Sequence, residues 1–308
     1  MFFLNNQKKY KHFLYLIPAI FILTIFTFYP LIKTFVISFS VNYNKFSDSF
    51  NGNKFFNFGF KNYKKVFEDP YFIQSLINTL LLVFISVPLS MIISLVIALF
   101  LNSVYNKILK EFFKTIFFLP FLMNKVIMGI VFSFLFYHSY GFFNKPDGFI
   151  DIFLNKILKI EGGWLNPSSS WNRKLFVLIF YNIWTSLPYK IFIFTIGLQN
   201  IDKNYYKAAK IDGASKSKIL FKITIPLLSR VFFYQLIVSI VHTFKEYDSI
   251  VGLFGENNSS IQTMTFYIYK QLQSHHLDSY AKGSAASIIL FFISAIFTLI
   301  SFYFFKKK

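Results

Sequence analysis

The chain has 308 residues, 55% of them hydrophobic and 22% aromatic but only 15% charged, whereas an ordinary soluble domain carries about 25% charged residues. Its net charge of +19 does not argue for nucleic acid, because the lysines gather at the ends of apolar stretches and not on an aromatic-interleaved face; membrane topology and anionic headgroups produce that distribution. The absence of cysteine excludes disulfide and thiolate–metal chemistry, and the apolar bulk leaves no room for a sizeable soluble catalytic domain.

Six stretches reach the ~20 residues that cross a ~30 Å hydrocarbon core as a helix: about 13–39, 73–101, 112–137, 174–198, 229–251 and 281–305. They predict an all-α, polytopic membrane domain over 13–305, between an N-terminal tail (1–12) and a basic C-terminal tail (306–308). Phe13 to Phe39 is too long for a signal-peptide core and no small-residue cleavage site follows it, so it is expected to remain as the first span. The connector 40–72 is polar and rich in Asn. In the second span Ser86, Ser90, Ser94 and Ala98 form a small-residue stripe for close helix packing. Connector 138–173 is expected to hold a short amphipathic piece from Phe149 to Ile160, with turns at Gly162–Gly163 and Asn166–Pro167. Segment 252–280 reads as a polar loop containing Asn257 and Asn258. The sixth span opens on Ala281, Gly283, Ser284, Ala285 and Ala286, another packing surface. Pro18, Pro30, Pro88 and Pro188 fall inside spans and predict kinks.

Segments 1–12, 102–114, 199–230 and 306–308 hold half of the 32 Lys/Arg and three of the 13 acids, Glu111, Asp202 and Asp212. The positive-inside bias therefore places both termini and the 199–228 loop in the cytoplasm.

That loop is the most informative stretch. Asp202 can cap a short helix in which Tyr205, Ala208, Ala209 and Asp212 share one face, with the two alanines keeping it flat. Gly213 can turn the chain with positive φ. A second amphipathic run follows, striped by Ile219, Leu220, Ile223 and Leu227, and Pro226 marks the return to the membrane. On these residues alone the segment is either a lipid-contacting connector or a rigid helix–turn–helix that passes force from a soluble partner to the spans.

The string Ala208-Ala209-x-x-Asp212-Gly213-Ala214, followed by Phe221, Ile223 and Ile225-Pro226-Leu227, resembles the EAA loop of ABC-importer permeases. Gln199-Asn200-Ile201 precedes it as in the sugar-importer branch. Other segments resemble the same branch in order: Phe60-Lys61-Asn62-Tyr63 through Asn78-Thr79, Phe117 to Pro120, Trp184, and Phe244-x-x-Tyr247-Asp248. The likeness covers about 13–305 and, with the basic tail, is to the first-permease type of the maltose, lactose and glycerol-3-phosphate importers. It implies a type I importer permease with no cofactor and no catalytic residue of its own, seated in bacterial plasma-membrane lipid. Its implied partners are a second, similar permease, a cytoplasmic ATPase dimer docked on the loop, and an extracytoplasmic solute-binding protein. Tyr205, Lys207, Ala208, Ala209, Asp212, Gly213, Ala214 and Pro226 then form the coupling element. The chain departs from the family at Lys207, where a Glu is usual, at Asn257 and Asn258 after the fifth span, and at Asn124-Lys125 in the third.

Ionisable residues inside spans are costly and mark functional positions. Lys125, beside Asn124, and Lys190, near Asn182, Trp184 and Tyr189, are candidates for a polar cavity with aromatic faces for a sugar ring and nitrogen donors for hydroxyls. The alternative is that both lysines snorkel or pair locally. Two lysines tilt the substrate toward an anion, while sugar, oligosaccharide and glycerol-3-phosphate all stay open. Glu246 and Asp248 read as solvated residues at the outer end of the fifth span. His275-His276 lacks a carboxylate at metal-ligand spacing and reads as surface, so no metal is expected. There is no Gly-x-x-x-x-Gly-Lys-Ser/Thr, His-Glu-x-x-His or Gly-x-Ser-x-Gly. Two other readings are an integral-membrane enzyme acting on lipid-linked sugars, which needs a carboxylate cluster, and an ion-coupled carrier, which needs inverted repeats; neither signal is present.

The charge bias makes the orientation testable without background thiols. An impermeant thiol reagent added outside intact cells should label Ser259→Cys and leave Ser217→Cys untouched; labelling of Ser217→Cys overturns the orientation.

Overall fold

The computed structural model describes residues 15–41, 43, 58–137, 148–159, 163–166, 168–257, 261–276 and 278–306. Tail 1–12, Gly162, Pro167, Asn258, Ser259 and residues 307–308 lie outside them. Among the described residues every regular element is a helix, apart from one isolated bridge, Ser40 to Phe58. In chain order these are α1 (Tyr15–Phe39), α2 (Lys61–Phe67), α3 (Pro70–Ser103), α4 (Lys107–Leu122), α5 (Lys125–Leu135), α6 (Phe149–Leu158) and α7 (Trp171–Gln199). Then follow α8 (Lys203–Ile211), α9 (Lys216–Leu227), α10 (Ser229–Phe244), α11 (Asp248–Phe254), α12 (Met264–Gln273) and α13 (Ser279–Lys306).

Four helices, α1, α3, α7 and α13, are long and apolar enough to cross a membrane unbroken, and α4–α5 and α9–α10 join them as bent pairs, giving up to six spans. The third stretch is thus not one straight helix: α4 and α5 meet at 101°. Pro120 opens a tight final turn of α4, and Asn124 restarts the helix by accepting from the Val126 and Ile127 amides at 2.8 and 3.4 Å. The fifth is shorter than its apolar run, ending at Phe244 and resuming as α11. Segment 252–280 is not a plain polar loop: it contains α12, and Ile261, Gln262, Thr263, Met264, Phe266 and Tyr267 are buried. The amphipathic piece near Phe149 is α6.

The prolines act by a common device. Pro30, Pro88 and Pro226 each stand two residues beyond a five-residue π-helical turn, at Thr24–Phe28, Leu82–Ser86 and Leu220–Thr224. Proline lacks an N–H and its ring crowds the carbonyl four residues back; a widened turn just before it relieves that conflict. Pro188 instead sits inside the unbroken α7.

The chain divides into two compact units. The first comprises Met1–Pro70 and Ile268–Phe291. Here buried Asn62 donates to the Ser38 and Ser40 carbonyls at 3.0 and 2.9 Å, tying α2 to the end of α1. Ion pairs Lys65–Asp278 and Lys282–Asp69 tie the α2 end to the start of α13. Gly283 lets α13 lie close to α12, since a Cβ there would stand 3.1 Å from that of Gln271.

The second unit comprises Tyr71–Tyr267 and Phe292–Lys308. Its core joins Leu82 of α3, Phe132 of α5, Leu178 and Tyr181 of α7, Ile250 of α11 and Phe266 of α12. Helix α3 packs along α7 with Ser86, Ser90, Ser94 and Ala98 all buried. Helices α5 and α11 touch backbone to backbone: a Cβ on Gly129 would lie 2.7 Å from Gly252 Cα, and one on Gly252 2.7 Å from the Val126 carbonyl oxygen. Forcing a methyl into such a contact costs ~1–3 kcal/mol. Gly129→Ala and Gly252→Ala should therefore each lower the thermal midpoint of the purified protein in lipid nanodiscs; an unchanged midpoint for both contradicts this packing.

Candidate functional site

Two arrangements in the second unit carry chemistry. The first is a polar seam between α3 and α7. Asn182, Ser186 and Lys190 recur every four residues along α7 and so share a face, opposite the serine stripe of α3. Ser86 Oγ donates to Asn182 Oδ1 at 3.0 Å, and Lys190 Nζ donates to Ser90 Oγ at 2.5 Å and Ser186 Oγ at 3.3 Å. The α3 stripe is thus more than a packing surface: its Ser90 supplies one of the two hydroxyls, with Ser186 of α7 the other, that solvate Lys190, which is buried and not snorkelling.

At one end the seam meets Glu246. This residue is 2% exposed, not solvated at a span end, because the chain breaks after Phe244 and turns its side chain inward. Its Oε1 accepts from the Ser249 amide at 3.0 Å and from Ser249 Oγ at 2.7 Å, at the start of α11, where the helix dipole favours a negative charge. Its Oε2 accepts from Asn182 Nδ2 at 3.2 Å and pairs with Lys125 Nζ at 3.7 Å. Lys125 Nζ also lies 3.1 Å from His242 Nε2, and the Tyr181 hydroxyl donates to the Lys125 carbonyl. A buried carboxylate is tolerable only with such compensation. The cluster offers a buried amide and a buried carboxylate with a partly exposed ammonium and an exposed imidazole beside them, a donor set suited to hydroxyls or an acid group.

The structure thus brings Lys125, Asn182 and Lys190 to one seam. It does not bring Asn124, whose side chain caps α5, nor Trp184, whose ring packs 4.9 Å from Phe132. Tyr189 faces elsewhere, its hydroxyl 2.8 Å from that of Tyr234 and its ring stacked on Phe121. His242 and Glu246 complete the cluster. Their spacing of four, one helical turn, was the available signal. His275 and His276 are exposed, and no cluster of three potential metal ligands occurs among the described residues.

The second arrangement is the 199–228 loop. Asp202 Oδ1 caps α8 by accepting from the Asn204 amide at 2.9 Å. Gly213 has φ +68°, the Ala214 amide donates to the Ala209 carbonyl at 2.9 Å and the Gly213 amide to that of Lys210 at 3.1 Å; this pair of bonds is a Schellman termination. Ser215 then caps α9 by accepting from the Lys218 amide at 3.3 Å. The exposed face holds Tyr205, Lys207, Ala208 and Asp212. Ala209, at the edge of that face nearest Tyr206, is buried, and the Tyr206 hydroxyl meets Thr224 Oγ1 at 3.2 Å. The stripe of α9 also shifts: Thr224 and Leu228 are buried and Leu227 is exposed, because the π turn adds a residue to the helical repeat. Pro226 follows that turn and is exposed.

Residues 90–307 match the family described as the binding-protein-dependent transport system inner membrane component. The chain belongs to that family. The probable ABC transporter permease protein YurN of Bacillus subtilis is 27% identical over 304 residues, covering 98% of each chain. The lactose transport system permease protein LacF of Rhizobium radiobacter is 28% identical, covering 97% of this chain and 96% of its own. A chain in the crystal structure of a bacterial ABC transporter that imports the acidic polysaccharide alginate superposes with a TM-score of 0.77, at 20% identity, over 99% of this chain and 98% of that one. The chain is the permease subunit of an ABC importer, and nothing in these likenesses favours a lipid-linked-sugar enzyme or an ion-coupled carrier.

Glu246 is buried while the Lys125 side chain is 29% exposed, so removing the lysine leaves a buried carboxylate less compensated, at a cost of about 1–3 kcal/mol once that exposure is discounted. Lys125→Met should thus destabilise the protein, and Glu246→Gln should relieve part of that loss, with a coupling of ~1–3 kcal/mol in a double-mutant cycle. Thermal unfolding in nanodiscs measures it; strictly additive effects refute the pair.

Proposed function

We propose that the chain is one of two permease subunits of a sugar-class importer, with six spans and both termini cytoplasmic. Two ATPase subunits dock on the 199–228 loop, and an extracytoplasmic binding protein delivers the solute. The lysines and Asn182 of the seam serve the substrate path. The relatives named for lactose and for arabinooligosaccharides in Bacillus subtilis (29% identical over 297 residues) support the substrate class, and the family's description supports the binding protein.

One observation carries the reading. Helix α8 presents Tyr205, Ala208 and Asp212 outward, and the chain then runs through α9, across a 63° bend, into α10, which ends beside His242 and Glu246. A push on α8 would therefore pass through three consecutive helices, α8, α9 and α10, to the Lys125–Glu246 cluster. Tightening of the ATPase dimer on binding ATP would move α8 and α9, and the seam would change the side to which it opens. Lys207 is exposed on the docking side, so its partner on the ATPase should be acidic.

Gly213 separates backbone from bulk in testing this. A Cβ there would meet nothing within 4 Å, so only its positive φ excludes ordinary residues, at ~1 kcal/mol or more for a β-branched one. In the complex reconstituted with its own ATPase, Gly213→Val should lower transport per ATP hydrolysed roughly fivefold or more, and Gly213→Asn, which tolerates that φ, should not. Ala208→Phe should weaken ATPase binding by its bulk, and Lys207→Glu should be rescued by an opposite charge reversal on the ATPase. Normal coupling in Gly213→Val and Ala208→Phe together removes the coupling assignment.

A further inference from the structure

Helix α4 is amphipathic in the wrong sense for a helix that faces lipid with one side and protein with the other by apolar packing alone. Its inward, half-buried face carries Lys110, Phe113, Lys114 and Phe117, while Ile108, Phe112 and Ile116 point outward and are exposed by 81, 58 and 47%. Basic side chains turned inward require water or an anion. They face one. Between α4 and α7, and reaching the end of α3, lies a cavity of about 260 Å³, with Lys114, Thr115, Thr195 and Gln199 as its polar lining and apolar walls that include Phe118 and Phe192. No carboxylate is among the residues that line it. Glu111 is the nearest acid to Lys114 on α4, with an Oε1–Nζ distance of 2.7 Å, but its side chain is 58% exposed, and an exposed pair of that kind is weak enough for a stronger acceptor to compete.

We propose that this cavity is a binding site for an anionic glycerophospholipid, its phosphate at Lys114 with Lys110 one turn away and the start of an acyl chain against Phe118 and Phe192. A wholly soluble phosphate would leave the apolar walls unused, and a zwitterionic lipid would bring its own headgroup cation up against the two lysines; a lipid of net negative charge satisfies both walls and lysines. The site stands at the end of α7 that leads into the Lys-rich 199–230 segment, and basic pockets between spans on the cytoplasmic side are where anionic headgroups are held. The bound lipid would brace α4 against α7, next to the bend that aims Lys125 at Glu246. The choice of leaflet rests on the orientation proposed above, which the thiol-labelling experiment tests separately from lipid retention.

The test is native mass spectrometry of the full-length chain extracted from nanodiscs of equal phosphatidylglycerol and phosphatidylcholine. Retained lipid should be strongly enriched in phosphatidylglycerol. Lys110→Gln with Lys114→Gln should lower that enrichment by about twenty-fivefold, roughly fivefold per lysine, while Lys159→Gln, elsewhere on the surface, should leave it unchanged. Glu111→Gln removes the competing carboxylate and should raise the enrichment, a result that misfolding of the double variant cannot mimic. Equal retention of the two lipids, an unchanged ratio in the double variant, or no rise in Glu111→Gln overturns the proposal. Displacement of the lipid by millimolar inorganic phosphate or glycerol phosphate also overturns it, in favour of a soluble anion.

Discussion

A carboxylate withdrawn from water into an apolar interior persists only if each of its oxygens is met, and at Glu246 that requirement organises the second unit. Its Oε1 is held by Ser249 at the head of α11, and its Oε2 by Asn182 of α7 and Lys125 of α5. The Glu246 carbonyl accepts from Thr263 just before α12, at 2.6 Å, and Ser86 of α3 reaches the cluster through Asn182. Five elements thus converge on one residue. Because the helices are joined through directional bonds and not only by apolar contact, a shift in one must either carry the others or break a buried pair, and the second option is expensive. That is the condition for a switch with two discrete states.

The same logic accounts for the breaks in the helices. A straight third span would leave Lys125 part-way along an apolar rod. The 101° turn, made by Pro120 and restarted by the Asn124 cap, instead sets Lys125 in the first turn of α5, with its ammonium beside His242 and Glu246. The close glycine contact of α5 with α11 then fixes the distance between the two charges. In the fifth span the chain surrenders helix after Phe244 so that Glu246 can turn inward, and α11 recovers the lost apolar burial through Ile250 and Leu253.

What could be read from residues alone was set by how far each signal reaches along the chain. The helical class, the apolar stretches and the 199–228 motif depend on local hydropathy and spacing, and the Asp202 cap and the Gly213 turn depend on a few neighbouring residues; all of these were legible. The identity of Lys125 and Lys190 as intramembrane charges was legible too, but not their partners. Those partners come from positions as remote as Ser90 and Glu246, and no local pattern pairs them. The burial of Glu246 is hidden in the sequence because the apolar run 229–251 continues through it while the helix stops at Phe244. The exposure of Leu227 has a smaller cause, since one residue of extra turn rotates a side chain by about 100°, and hydropathy does not resolve which of the adjacent Ala208 and Ala209 is the more buried.

The π turns add a further mechanical constraint. Each marks a place where the helix is already wider than an α-helix and where a hydrogen bond is available to shift from one register to the next. The turn at Leu220–Thr224 lies between the exposed α8 face and the bend that opens α10, and the turn at Leu82–Ser86 ends on the serine that binds Asn182. Rigid α-helix would transmit a displacement as a lever does, over its whole length at once. With α9 widened at one turn and α3 at the other, motion could be taken up locally, at the loop and at the seam, while the packed Ser90–Lys190 stretch between α3 and α7 stays intact. Under the proposed coupling, motion imposed on α8 would be taken up as a rotation of α10 next to Glu246 and a yielding of α3 at Ser86, the residues through which the buried carboxylate and Asn182 are approached.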